Sequence, residues 1–287
     1  MGRFAPSPTG DLHLGSLLAA AASFLDARAQ AGRWLVRIED LDKPREIPGA
    51  ADRILRTLER FGLQWDGEVL YQSRRLPCYE DALRRLLEDD RAFRCRCSRL
   101  QLQAHPLYPG TCRRTPPPKA EPAAVRFAAT DEIIEFADRV QGRMCSNPAK
   151  EGGDFVIFRR DGIPAYMLAV VVDDAAQGIT DVVRGADLLT STAGQIQLQH
   201  ALHLPTPRYA HVPVLVEPDG SKLAKSRRSV AVDEARPGRQ VFQVLQWLGQ
   251  DPPRDLSEAS VEDCWRWAIE HWRIAEITKI SQLSICE

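Results

Sequence analysis

The apolar positions change period several times along the chain. Residues 2–5 make a short, mostly apolar run ended by the breaker-rich Pro6-Ser7-Pro8-Thr9-Gly10. Leu14, Leu17, Leu18, Ala21, Ala22 and Leu25 then recur at helical spacing. Residues 34–38 (WLVRI) read as a strand ending in Glu39-Asp40, and Ile54, Leu55, Leu58 and Phe61 mark the face of a second helix. Strand, helix, strand, helix with apolar strands predicts an α/β fold with a parallel sheet covered on both faces. The ligand crevice of such a sheet lies beyond the carboxyl ends of its strands, where Ser7 and Glu39 fall.

From residue 91 to about 122 the period is lost. Cysteines, basic residues and Pro116-Pro117-Pro118 crowd together, as expected of an inserted subdomain. Strands are predicted again at 154–159, 167–172 (MLAVVV) and 179–183, followed by a helical stretch over 188–202. The Asp173-Asp174 pair is expected to end a strand in the cleft, touching ribose. After Lys225 the chain reads as mostly helical, with Val241, Val244, Leu245 and Leu248 on one stripe.

The chain has 287 residues, enough for one large domain or two modest ones with a core that needs no disulfides. Lys plus Arg number 38 against 39 Asp plus Glu, a net charge of −1. That balance excludes a strongly basic nucleic-acid coat protein, but not an enzyme that gathers basic groups on one face. No apolar run approaches a membrane span. Residues 17–25 could pass for the apolar part of a signal peptide, but the leader holds Pro6, Pro8, Gly10 and Asp11 with Arg3 as its one positive charge, so a cytoplasmic chain is expected. In that reducing compartment seven cysteines point to metal or core packing before disulfides.

Three short motifs carry chemistry. His13-Leu14-Gly15-Ser16 opens the first helix, whose unpaired N–H groups suit a nucleotide phosphate, and Gly15 permits close approach of a base or ribose. Lys222-Leu223-Ala224-Lys225-Ser226 follows a Pro218-Asp219-Gly220 turn; two ammonium groups there can neutralise charge as pyrophosphate leaves ATP. Cys95, Cys97 and Cys112 cluster ahead of Arg113-Arg114, a donor set for tetrahedral zinc completed by His105 or Tyr108; generic zinc chemistry prefers His105. Cys78, Cys145, Cys264 and Cys286 have no partner spacing. Trp247, Trp265, Trp267 and Trp272 are expected to anchor the C-terminal core.

Taken in order, Arg3 to Gly10, His13-Leu14-Gly15, Arg37 to Asp42 with Arg45, Val171 to Asp174, Val183 to Asp187 and Lys222 to Ser226 resemble the catalytic core of the glutamate branch of the class I aminoacyl-tRNA synthetases. The resemblance implies a Rossmann-like parallel-sheet core over residues 1–240, a zinc-binding insertion at about 91–122, and a helical stem-like segment over 241–287. It implies catalytic roles for His13, Gly15, Lys222 and Lys225, with His13, Gly15 and Lys225 on ATP. Arg3, Phe4, Ala5, Pro6, Ser7, Glu39, Tyr166 and Arg184 would bind glutamate; physically, the arginines suit its carboxylates and Glu39 its ammonium. The family's cysteine cluster favours Tyr108 over His105 beside Cys95, Cys97 and Cys112, with one structural Zn2+ per chain and Mg2+ accompanying ATP.

The sequence departs from tRNA-charging relatives at Ser16, in the KLAKS motif and at Val170, four residues after Tyr166. Only 61 residues follow Ser226, which leaves no room for a large anticodon-binding domain. The expectation is therefore a truncated paralogue that activates glutamate without tRNA and esterifies queuosine in the anticodon of tRNA(Asp). The alternative is a short synthetase charging the 3′ end of tRNA(Glu). A small-molecule nucleotidyl transferase would not need the arginine–glutamate–tyrosine set, and a non-catalytic RNA-binding zinc module would not need both lysines.

Overall fold

Residues 1–216 and 232–284 are described in a computed structural model. Strand β1 (Gly2–Phe4) is followed by α1 (Leu14–Arg28), β2 (Trp34–Ile38), α2 (Ala50–Arg60), β3 (Leu70–Tyr71) and α3 (Leu76–Glu88). β1 pairs in parallel with β2, Gly2 opposite Trp34, and β2 with β3, Arg37 opposite Leu70. Helix α1 is buried nearly all round. Ala20, Ala21 and Ala22 have no exposed surface, and their small side chains let the helix lie close to strands on one side and C-terminal helices on the other.

Next come β4 (Ala92–Cys95), α4 (Arg99–Leu102), α5 (Thr111–Arg114), β5 (Ala124–Phe127), β6 (Ile134–Asp138), β7 (Gly142–Ser146), α6 (Pro148–Glu151) and β8 (Val156–Phe158). Strands β4, β5 and β8 form an antiparallel sheet in that order, and the aperiodic 91–122 stretch supplies its first strand and the loop carrying α4 and α5. The β6–β7 hairpin, which has no counterpart among the predicted elements, joins a different sheet.

The chain continues as α7 (Tyr166–Ala176), β9 (Asp181–Gly185), α8 (Thr192–Ala201), β10 (Arg208–Val212), β11 (Val214–Val216), α9 (Pro237–Trp247), α10 (Val261–His271) and β12 (Gln282–Ser284). β10 lies between β9 and β6, parallel to both. The Met1 carbonyl accepts hydrogen bonds from the Thr180 and Asp181 amides, which draws β9 alongside β1. Two parallel groups of strands therefore meet at β1 and β9, one running outward through β2 and β3, the other through β10 and β6. That reversal of strand order opens a crevice at the carboxyl ends of β1 and β9.

The expected strand at 167–172 is wrong: these residues lie within helix α7. Leu168, Ala169, Val170 and Val171 are at most 2% exposed in a core shared with α3 and α8, so burial on every side erased the helical period. Val170 belongs to this core and is not among the residues that line the crevice. The C-terminal tryptophans anchor as expected; Trp265 donates its indole N–H to the Phe61 carbonyl at 2.7 Å. Lys222, Lys225 and Cys286 lie outside the described residues. No helix among the described residues is long and apolar enough to cross a membrane.

Candidate active site

The crevice encloses about 520 Å³ beyond the ends of β1, β2, β9 and β10. Arg3, Phe4, Ala5, Pro6, Ser7, Glu39, Tyr166 and Arg184 all line it, together with His13 and Gly15. Local folding explains the convergence. Prolines end β1 just past Phe4, and the Pro6 carbonyl accepts the Glu39 amide at 2.9 Å, joining the ends of β1 and β2.

The floor of the crevice is a buried charge network. Arg3 donates from Nε and Nη2 to Asp174 at 3.1 and 3.4 Å, and Arg37 donates from Nη2 to the same carboxylate at 2.8 Å. Arg37 Nη2 also lies 3.7 Å from Glu39 Oε1. Burial opposes charge on both Asp174 and Arg37. The two arginines outweigh it and hold the Asp174 carboxyl below its usual range, while Asp174, Glu39 and Asp173 raise the Arg37 guanidinium above its own. Asp173, fully buried, accepts from Gln72, Arg75 and Tyr79 at 2.7–2.8 Å. The acidic pair therefore sits on a helix beneath the site and fastens it, in place of the expected strand end against ribose.

Glu39 is left incompletely paired. Its Oε1 atom is buried and accepts no hydrogen bond among the described residues. Burial pushes its carboxyl up to about 7, against the pull of Arg37 and Arg3. A cation entering the crevice would meet this oxygen. If that cation is an amino-acid ammonium, binding requires ionised Glu39. Affinity should then fall as the pH drops through 7, by about tenfold per unit below the pKa. Glu39→Gln should lower the affinity and flatten the profile; calorimetric titration of glutamate from pH 5.5 to 8 would expose a flat wild-type profile if the assignment were wrong.

Arg184 forms the opposite wall. Its Nη1 donates to the Tyr166 hydroxyl at 3.2 Å, Nη2 to Thr192 Oγ1 at 2.9 Å, and Nε to His211 Nε2 at 3.0 Å. His211 Nδ1 in turn lies 2.6 Å from Asp138 Oδ2. Sequence reasoning did not single out Asp138, Thr192 or His211, nor give a role to Arg37. The available signal was a charged or polar residue in the middle of an apolar strand, WLVRI for Arg37 and RYAHV for His211.

His13 caps α1, its Nδ1 accepting the Ser16 amide at 3.2 Å. The Ser16 hydroxyl lies 2.9 Å from His13 Nε2, so the residue that departs from the family motif braces its histidine. A Cβ at Gly15 would stand 3.3 Å from the imidazole, a tight approach that glycine avoids.

The cysteine cluster is a separate centre. Its three sulfurs lie within 4.8 Å of one another, with Cys97 and Cys112 3.5 Å apart. Tyr108 Oη stands 3.5 Å from Cys95 Sγ and 3.9 Å from Cys97 Sγ, and accepts the Cys112 amide at 2.7 Å. His105 is exposed and lies outside the group, whereas the Tyr108 phenol oxygen lies beside its sulfurs. Burial pushes the Cys112 thiol up, but the Arg96 amide and hydrogen bonds from Tyr108, Cys97 and Cys95 outweigh it and bring it down to about 7. Burial and the bond to Cys112 push Cys97 up to about 11. Three thiols this close ionise together only around a cation, and three sulfurs with one oxygen suit tetrahedral zinc. Of the two adjacent arginines, Arg113 is paired with Asp154 at 3.0 Å.

The family of class I tRNA synthetases (E and Q), catalytic domain, matches residues 1–108 and 113–246. The chain is 51% identical over 286 residues to the glutamyl-Q tRNA(Asp) synthetase of Aromatoleum aromaticum, covering 97% of this chain and 90% of that one. It is 51% identical over 284 residues to the protein of that name from Pseudomonas aeruginosa, covering 99% and 97%. Among solved structures it resembles the glutamate-tRNA synthetase of Elizabethkingia anophelis, with a TM-score of 0.82 and 26% identity over 97% of this chain and 66% of that chain. A glutamate tRNA ligase from Elizabethkingia meningosepticum in complex with its amino acid gives a TM-score of 0.81 at 26% identity, over 97% and 65%.

Proposed function

Because the chain belongs to the class I tRNA synthetases of the glutamate and glutamine group, we propose that it activates glutamate with ATP in the absence of tRNA and transfers it to queuosine in the anticodon of tRNA(Asp). The observation that carries the amino-acid part is the buried Glu39 oxygen, which accepts no hydrogen bond among the described residues, set in one crevice with two immobilised arginines. The ammonium of glutamate binds Glu39, and its carboxylates bind Arg3 and Arg184, with Ser7 and Tyr166 adding directional hydrogen bonds. His13 and the N-terminus of α1 receive ATP phosphates, with Gly15 giving room for the nucleoside. Mg2+ accompanying ATP would offset phosphate charge.

A carboxylate oxygen of glutamate attacks the α-phosphorus, and the bond to the β-phosphate oxygen breaks to release pyrophosphate. His13, a neutral imidazole when its Nδ1 accepts the Ser16 amide, acts by polarity and alignment, not as a proton shuttle. Lys222 and Lys225, outside the described residues, have the same task by family resemblance. A queuosine hydroxyl then attacks the glutamyl carbonyl, AMP leaves, and an ester forms. The 51% identity to proteins named for glutamyl-Q, against 26% to the glutamate-tRNA synthetases, supports this acceptor over the 3′ end of tRNA(Glu).

In this reading residues 1–240 make the catalytic domain of a cytoplasmic enzyme and residues 241–287 a helical stem. The insertion at about 91–122 holds one structural Zn2+ through Cys95, Cys97, Cys112 and Tyr108.

Two RNA substrates test the acceptor. Queuosine-containing tRNA(Asp) lacking its 3′ adenosine should take up labelled glutamate as an alkali-labile ester, and intact tRNA(Asp) without queuosine should take up none. The reverse pattern would mean a miniature tRNA-charging enzyme.

A further inference from the structure

His211 has no exposed surface. A guanidinium can only donate, so the 3.0 Å bond from Arg184 Nε obliges His211 Nε2 to accept. The imidazole proton then resides on Nδ1, where Asp138 Oδ2 accepts it at 2.6 Å. The other oxygen of Asp138 accepts the backbone amides of Val140, Gln141 and His211 at 2.8–3.1 Å, which locks the carboxylate. Thr192 Oγ1, 3.2 Å from the same imidazole nitrogen, accepts from Arg184 Nη2.

We propose that Asp138 and His211 are positioning residues for amino-acid recognition: Asp138 fixes the tautomer of His211, and His211 fixes Arg184 with its outer edge toward the crevice. The inference rests on the glutamate-binding role given to Arg184 above. A neutral acceptor is the suitable partner, because it aims the guanidinium without cancelling the charge meant for a substrate carboxylate. A carboxylate at position 211 would compete with the substrate. A protonated imidazole would turn an N–H against Arg184. Burial, the Arg184 guanidinium from β9 and, further off, Arg3 from β1 disfavour the imidazolium and outweigh the pull of Asp138 from β6, so the ring stays neutral more readily than an ordinary histidine; Thr192 from α8 is the remaining polar group at Nε2.

Asp138→Asn is the informative variant. Its amide oxygen can keep the backbone bonds while its NH2 faces Nδ1, which moves the imidazole proton to Nε2 and against Arg184. In glutamate-dependent pyrophosphate exchange, KM for glutamate should rise about 10- to 100-fold, the change expected for loss of a hydrogen bond to a charged group. KM for ATP should stay put. His211→Leu should behave alike, and His211→Gln, which keeps an acceptor in reach of Arg184, should recover most of the loss. Equal rises in both KM values in variants that melt like wild type, or no rise for glutamate, would overturn the proposal. Imidazole 15N shifts of the unmodified protein test the relay without reference to activity. They should report a protonated Nδ1 and a bare Nε2 between about pH 6 and 8, and the opposite tautomer would overturn it even if Asp138→Asn does not fold. Absence of exchange by wild type beside the expected shifts would instead count against glutamate activation.

Discussion

Asp174→Ala should cost the protein about 3–5 kcal/mol of stability, the usual consequence of stripping one partner from a buried ion pair. Asp174 is 6% exposed and is shared by Arg3 at 3% and Arg37 at 0%, so its removal strands two guanidinium groups away from water. Asp174→Asn keeps a hydrogen-bond acceptor but not the charge, and should fall between alanine and wild type. Both changes should also weaken glutamate binding, because Arg3 loses its anchor and Arg37 pulls harder on Glu39. Urea denaturation at fixed pH gives the midpoints. An alanine variant as stable as wild type would show that the network under the crevice is solvated in practice and does not hold the site.

Zinc removal is the second large effect. Wild-type protein purified without chelators should contain one zinc per chain, and Cys112→Ser should contain far less. Structural zinc contributes up to about 10–16 kcal/mol to the folding of the smallest metal-built domains. The effect here is smaller than that ceiling because Phe93 and Ala128 pack with Cys95 and Cys112 regardless of metal. Chelation should therefore unfasten the β4–β5–β8 sheet while leaving the larger core around α1 intact. Amide exchange should show faster exchange near residues 93–97 and 110–114 and no change in residues 17–25. Tyr108→Phe should weaken retention of the metal and His105→Ala should not. Zinc-free wild type, or loss of metal from His105→Ala alone, would refute the ligand set. Since cysteine ligands bind as thiolates, retention should weaken as the pH falls.

Some features of this protein follow from chain-local physics. β1, α1, β2 and α2 could be read from spacing because each has one direction of burial or a breaker at its end, and both are properties of neighbouring residues. Ser7 and Glu39 could be placed at one crevice for the same reason, since strand ends in a parallel sheet share a side. The cysteines and Tyr108 are close enough in sequence for their grouping to be visible, although the placement of His105 outside the group of sulfurs came only with the fold. Helix α7 escaped because Leu168 to Val171, a full turn of the run MLAVVV, are all buried, and a turn without a wet face has no period to detect. The partners that aim the arginines escaped for a different reason. Thr192 and His211 reach Arg184 from α8 and β10, Asp138 reaches His211 from β6, and Asp174 reaches Arg3 from α7 across 171 residues of chain. Such pairs leave no periodic trace in the sequence, because their selection depends on which strands become neighbours in the sheet. Candidate ligand-binding groups could thus be named residue by residue, whereas their protonation, tautomer and aim come from long-range packing that brings buried charges and acceptors together away from water.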